Sequence, residues 1–283
     1  MTAAAALPIV LVPLGADEDA LDACLAALEA GTPAGTRVWL ADNAQSGPRA
    51  AAIIEQWLSR TVLQAAHTRR SAPLGEAAHL DEALRACGDA DVAILASDAR
   101  PAPGWLERLD ACLRGDPGIA TATPWSNAGE TASWPRIGEV VALNDTSPEL
   151  LAEACAQMPA THPDLPSAVG HAVLLRGSAR LRAGGLDPQS FRSWPAALID
   201  LSLRLAGHGG RNVLCEQAFV LRGREDLPAD GDMDALAVRW PGWHARLANF
   251  LMDDPLYALR QQLSDNVARL RQLPPQADLF LPR

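Results

Sequence analysis

One stretch constrains this chain more than any other. Val92-Ala93-Ile94-Leu95 is followed by Ala96-Ser97-Asp98, and then by Pro101, Pro103, Gly104, Trp105 and Leu106. An apolar run without polar alternation reads as a strand buried on both faces, the habit of parallel sheets. It ends in a carboxylate, and a proline-started helix follows. Asp98 therefore reads as a group delivered to the carboxyl edge of an α/β sheet, where open sheets of this kind bind ligands.

The preceding and following residues repeat the pattern. Leu7 to Pro13 reads as a strand, Asp17 to Ala30 as a helix closed by Gly31, and Arg37 to Ala41 as a strand ending at Asp42-Asn43. Pro48 to Ser59 is helical, Thr61 to Ala65 a strand, Gly75 to Cys87 helical, Pro103 to Leu113 helical and Gly118 to Thr123 a strand. Strands alternating with helices predict a mostly parallel α/β sheet flanked by helices on both faces. Regularity breaks at Pro124, and the stretch to Ser147 reads as a long loop, of the length usually reserved for function. Pro148 to Gln157 is a short helix, Ala168 to Leu175 a strand, Leu198 to Ala206 helical, and Asn212 to Leu221 one or two strands. From residue 230 onward the pattern is helical (Met233 to Val238, Trp243 to Leu251, Pro255 to Leu273), and Gln272 to Arg283 reads as a surface tail. Two parts follow: an α/β domain over 1–229 and a helical C-terminal extension over 230–283.

The 283 residues carry a formal charge of -10, which argues against a nucleic-acid partner. Every basic residue is Arg or His, in line with drift toward GC-rich codons. Cys24, Cys87, Cys112, Cys155 and Cys215 contain no Cys-x-x-Cys pair, so neither a zinc site nor a disulfide framework is indicated. Met1 to Ala6 lacks the basic region of a secretion signal, and no run approaches the ~18 apolar residues of a membrane span, so a cytoplasmic location is the simplest expectation.

Several segments, in order and spacing, resemble the family-2 glycosyltransferases of the GT-A fold. Ile9 to Pro13 resembles their opening strand, and Trp39-Leu40-Ala41-Asp42-Asn43 the turn that reads the nucleoside. Leu95-Ala96-Ser97-Asp98 with Pro103-Gly104-Trp105-Leu106 resembles their acidic-motif segment. Thr123-Pro124-Trp125-Ser126-Asn127 with Ser133-Trp134-Pro135-Arg136 resembles a stretch from one bacterial branch. Val169 to Arg176, Gly184-Gly185-Leu186-Asp187, Arg239 to His244 and Asp254-Pro255-Leu256 resemble the acceptor-side core and helical C-terminus. The resemblance implies transfer of a sugar, with inversion, from a nucleotide-diphosphate sugar (UDP- or dTDP-linked) to a surface-glycan, lipid-linked or protein acceptor.

On that resemblance Pro13, with Leu14 and Gly15, forms the first turn of the donor site. Asp42 holds the nucleoside, or else caps the following helix. Ser97 and Asp98 hold the ribose–diphosphate region, with Asp98 the metal-ligand position. The sequence departs from the family at three places. Ala96 replaces the leading polar residue of the acidic motif. Ala197-Leu198 replaces the Glu-Asp pair containing the general base, so Leu198 occupies the base position while Asp200 survives as a residue that caps or pairs within the fold. Arg222 replaces a histidine that is often a metal ligand. Exchanging that ligand for a guanidinium suggests donor binding without a divalent metal such as Mn or Mg, with Arg222, and Arg224 beside it, as a fixed cation or as solvated loop residues. Glu130, Glu216, Glu225 and Asp226 are candidate substitute bases. A second class fits the same losses: a catalytically inactive homologue acting as a binding or scaffold subunit. A nucleotidyltransferase is disfavoured by the absence of a Gly-rich, lysine-bearing loop.

The remaining candidates read as follows. His171 belongs to a core or groove, His79 to a helix surface, and Gly207-His208-Gly209-Gly210 to a helix C-cap. Trp125 and Trp134 suit either sugar stacking or loop packing. Trp240, Trp243, Phe250 and Leu251 suit either a cover over the first domain or a homodimer contact.

Overall fold

The computed structural model describes residues 7–15 and 18–272. The N-terminal segment Met1 to Ala6, the predicted helix start at Asp17 and the tail beyond Gln272 lie outside these residues. In chain order the elements are β1 (Ile9–Leu14), α1 (Leu21–Gly31), β2 (Arg37–Asp42), α2 (Pro48–Leu58), β3 (Gln64–Arg69), α3 (Glu76–Ala86), β4 (Val92–Leu95), β5 (Arg100–Pro101), α4 (Trp105–Gly115) and β6 (Ile119–Trp125). There follow a 3-10 turn (Glu130–Ala132), α5 (Pro148–Ala156), β7 (Ala172–Leu175), α6 (Gly177–Arg182), α7 (Trp194–Gly207), β8 (Arg211–Leu221), α8 (Asp232–Arg239), α9 (Trp243–Asp253) and α10 (Tyr257–Gln272).

The strands form one sheet in the order β3-β2-β1-β4-β7-β6-β8-β5. Strands β1, β2, β3, β4, β6 and β8 run one way; β7 and β5 run against them. The doubly buried strands show why an unbroken apolar run was needed. In β1, Val10, Val12 and Leu14 enter one core and Leu11 the other; in β4, Ala93 and Leu95 divide from Val92 and Ile94 in the same manner. Successive side chains of a strand point to opposite faces, so both faces must be apolar. One core contains side chains of α1, α2 and α4, the other those of α3 and α7. A third cluster joins Trp125 and Trp134 to α5 and α10.

Differences from the expected elements have local causes. β3 starts at Gln64 rather than Thr61, because the Thr61 N–H closes the turn after α2 onto Trp57 O at 3.0 Å. As an edge strand with a half-exposed, polar sequence, β3 offers no apolar run to mark its position. α4 begins at Trp105, since Gly104 has φ +76°, outside the helical region. β5 and α6 carry no periodic signal long enough to read.

The order β2-β1-β4 makes the gap between β1 and β4 the switch point: from β1 the chain passes through α1 to β2 on one side, and it returns from β3 through α3, on the opposite face, to β4 on the other side. Open α/β sheets bind ligands there, outside the carboxyl ends of the strands. Among the described residues no helix is long and apolar enough to cross a membrane.

Candidate functional site

A cleft of about 410 Å³ opens at that switch point. The end of β1 (Pro13, Leu14, Gly15), the residue after β2 (Asn43) and the segment after β4 (Ala96, Ser97, Asp98) line it. α3 contributes Glu76, His79 and Leu80; the opposite side is closed by Gly170, Trp194, Arg222, Arg224 and Asp226.

Two residues of backbone pairing assemble the charged end. β5 runs antiparallel to β8, with Arg100 opposite Leu221. The chain just before β5 thus meets the chain just after β8, and Asp98 meets Arg222 across 124 residues of sequence. Arg222 Nε donates to Asp98 Oδ1 at 2.7 Å, and its two Nη groups donate to both oxygens of Asp226 at 2.7 Å each. Arg224 Nε donates to the other Asp98 oxygen at 2.8 Å. Arg222 is only 4% exposed, so it is no solvated loop residue. The carboxylates around it raise the pKa of its guanidinium further, against the opposing effect of burial. Asn127 fixes its backbone, accepting the Arg222 N–H at 2.8 Å and donating to the Arg222 carbonyl at 2.7 Å. Truncating one partner of such a buried pair typically costs about 3–5 kcal/mol, because the other charge is left uncompensated.

The donor set does not fit a divalent cation. Both Asp98 oxygens accept guanidinium hydrogen bonds. Among the described residues no group of three or more His, Cys, Asp or Glu side chains is arranged to hold a metal ion. The metal-ligand role implied for Asp98 therefore does not suit this arrangement, in which an internal cation sits against the carboxylate.

Asp98, Ser97 and Pro13 line the cleft with Arg222; Asp42 does not, although its neighbour Asn43 does. Asp42 is 1% exposed and accepts Arg69 Nη1 at 3.2 Å through Oδ2, while its Oδ1 has no hydrogen-bond partner among the described residues. Nor does it cap α2: the Glu18 carboxylate takes the Gly47 and Ala50 N–H groups at 3.2 and 3.0 Å. Asn43 is locked in the wall by a reciprocal pair with Leu74, both bonds 2.9 Å.

The base position implied by the resemblance is apolar core. Ala197 and Leu198 are 0% and 1% exposed in the cluster beneath α7. Asp200 is wholly buried and bound by Arg204, Arg239 and Trp240, the structural pairing expected of it. Glu216 lies in the irregular stretch of β8 where the pairing with β6 shifts register. Its carboxylate accepts from the N–H groups of Thr161 and His162, each at 2.8 Å, and from the Thr161 hydroxyl, which removes it from the list of bases. The other three candidates, Glu130, Glu225 and Asp226, come together beside Arg222 and line a second, much smaller cavity.

Sequence reasoning missed two cleft residues and misplaced one. Glu76, at the start of α3, accepts the Trp194 N–H at 2.8 Å, and burial raises its pKa. Trp194 packs so closely on Gly170 that a Cβ there would lie 2.6 Å from its indole nitrogen. His79 is buried rather than on the surface, with Nε2 2.9 Å from Ala41 O. Its spacing from Ala83 places it on the apolar face of α3, a signal available in the sequence. Trp125 and Trp134 are 0% and 5% exposed, so they pack the loop and present no face to a sugar.

No protein-family model matches the sequence, and no curated protein matches it. Solved structures do. A crystal structure of GalNAc-T7 with UDP, GalNAc and Mn2+ matches with a TM-score of 0.62 at 12% identity, covering 93% of this chain and 55% of that one. The chain thus spans little more than half of that protein. The mannosyltransferase PcManGT from Pyrobaculum calidifontis, in complex with GDP-Man and Mn2+, gives 0.58 at 16% identity, covering 96% and 77%. S. aureus TarS 1-349 in complex with UDP-GlcNAc gives 0.56 at 12% identity, covering 93% and 83%. The chain has the GT-A glycosyltransferase fold. At these identities the likeness concerns the fold, and the chemistry must be argued from the residues of this chain.

Proposed function

We propose that this protein is a family-2-type glycosyltransferase. It transfers a sugar, with inversion, from a UDP- or dTDP-sugar to a surface-glycan, lipid-linked or protein acceptor, and binds the donor without a divalent metal. Residues 1–229 are assigned to the transferase domain and 230–283 to a helical C-terminal extension. The observation that carries this reading is the cleft at the switch point, with a buried arginine fixed on the acidic-motif aspartate.

In this mechanism the nucleoside lies against Pro13, Leu14 and Asn43, and the ribose and diphosphate lie toward Ser97, Asp98 and Arg222. Arg222 has five N–H donors, of which three are engaged by Asp98 and Asp226. The remaining two meet phosphate oxygens as the leaving group departs. Because Asp98 and Asp226 hold the guanidinium and Asn127 holds the backbone beneath it, it need not reorganise as charge develops on the diphosphate.

The buried Ala197 and Leu198 favour a second reading, a binding or scaffold subunit that keeps the cleft but not the reaction. Two measurements separate these. Purified protein incubated with UDP- and dTDP-hexoses is expected to release nucleoside diphosphate, undiminished by a chelator. Calorimetry with UDP and with dTDP should give the same affinity with and without manganese. Binding that needs manganese overturns the metal-independent site; binding with no release under any condition selects the scaffold.

A further inference from the structure

The structure assigns the general base to Glu130, a residue outside every recognised motif; this rests on the transferase reading above. The family position for this group is filled by Leu198 in the core, yet the site still brings a carboxylate to the first turn of the same helix. Glu130, His171, Pro195 of α7, Glu225 and Asp226 line one narrow cavity. That cavity shares Gly170, Arg222 and Asp226 with the main cleft, so it adjoins the place proposed for the diphosphate.

Three features single out Glu130. Its backbone has φ +47°, the left-handed region that a residue with a side chain enters at a cost, and such strain gathers at functional sites. The conformation is clamped: the Glu130 carbonyl accepts from Ser133 Oγ at 2.7 Å and Gly138 N at 3.0 Å, and its N–H donates to Glu225 Oε1 at 3.3 Å. Its carboxylate has no hydrogen-bond partner among the described residues, whereas Asp226 is held by Arg222 and Glu76 by the Trp194 N–H. Finally, His171 lines the same cavity, is 1% exposed, and has an Nδ1 without a hydrogen-bond partner among the described residues. Since Nε2 of His171 donates to Pro124 O at 3.0 Å, Nδ1 is an acceptor, suited to a second hydroxyl of the incoming molecule.

In the step proposed, the acceptor hydroxyl oxygen forms a bond to the anomeric carbon while the bond from that carbon to the diphosphate oxygen breaks. The bonding pair leaves with the nucleoside diphosphate, and the hydroxyl proton passes to the Glu130 carboxylate. With water as acceptor the same transfer gives donor hydrolysis.

The charged groups facing Glu130 are Glu225 and Asp226 from the segment after β8, Arg222 from the end of that strand, and neutral His171 from the entry to β7. Burial, then the charges of Glu225 and Asp226, push the Glu130 carboxyl up to about 7, against Arg222. Burial, then Arg222, push His171 down to about 3. Ionised Glu130 is the active form, so turnover should rise with pH through about 7.

The test is release of UDP from UDP-hexoses by the full chain and by Glu130→Gln, Glu130→Asp and Glu225→Gln. Glu130→Gln should lower kcat by about 10²–10⁴-fold, leave UDP affinity by calorimetry unchanged, and abolish the inflection in the pH profile. Glu130→Asp should retain partial turnover. Glu225→Gln should move the inflection to lower pH by removing a negative neighbour, an effect that a merely structural role would not produce. If the parent releases UDP and Glu130→Gln stays within threefold of it, the base assignment is overturned and the transferase reading stands. If the parent binds UDP but releases none from any donor, both are overturned together.

Discussion

At the residue scale the site consists of charges held in unusual states for identifiable reasons. Glu130 is the clearest case. Its carboxyl is raised from 4.5 to about 7 by burial and by Glu225 and Asp226. Between pH 4.5 and 7 the folded protein retains a proton that the unfolded chain has lost, so this group favours folding fully below pH 4.5 and loses that contribution as pH rises through 7. Glu130→Gln cannot ionise and avoids the penalty. Its stability relative to the parent should therefore grow between pH 4.5 and pH 8 by about 1–3 kcal/mol, as read by denaturant titration at each pH. Equal pH slopes for the two proteins would show that the carboxyl titrates normally.

At the element scale, short and irregular pieces set the functional geometry. The two-residue strand β5 brings Asp98 and Arg222 into contact. The loop after β6 sends Asn127 to both backbone groups of Arg222 and carries Glu130 to the cavity. Asn127→Ala should leave the Arg222 N–H and carbonyl without these partners, at a cost of about 1–3 kcal/mol. It should also weaken UDP binding through a displaced guanidinium although Asn127 is absent from the cleft wall. Denaturation and calorimetry on the same variant check both parts, and Asn127→Asp, which keeps the acceptor, should recover some of the loss. Such pieces are hard to read in advance. β4 was legible because a doubly buried strand must be apolar throughout, whereas β5 and the turn at Glu130 are fixed by distant partners and leave no periodic mark.

At the scale of the whole molecule, charge and topology act together. The chain carries a formal charge of -10. The Asp98–Arg222–Asp226–Arg224 group is neutral overall, and Glu76 adds a further carboxylate to the cleft. In the proposed function a nucleoside diphosphate meets positioned donors against a repulsive background field, and salt screens that field. UDP affinity should rise slightly, or hold, as ionic strength increases from about 0.02 to about 0.2 M; a steep fall would reveal a basic binding surface instead. The sequence by itself determined the layered α/β plan, the strands that form its centre and the carboxylate at the edge of β4, because burial on two faces and helix periodicity are written locally in residue types. Only the tertiary structure decided that Arg222 covers Asp98, that Asp42 stands behind the cleft wall and that Glu130 reaches the space beside α7. Those contacts join residues far apart in the chain, and their energies come from desolvation and pairing that exist only once the sheet has closed around them.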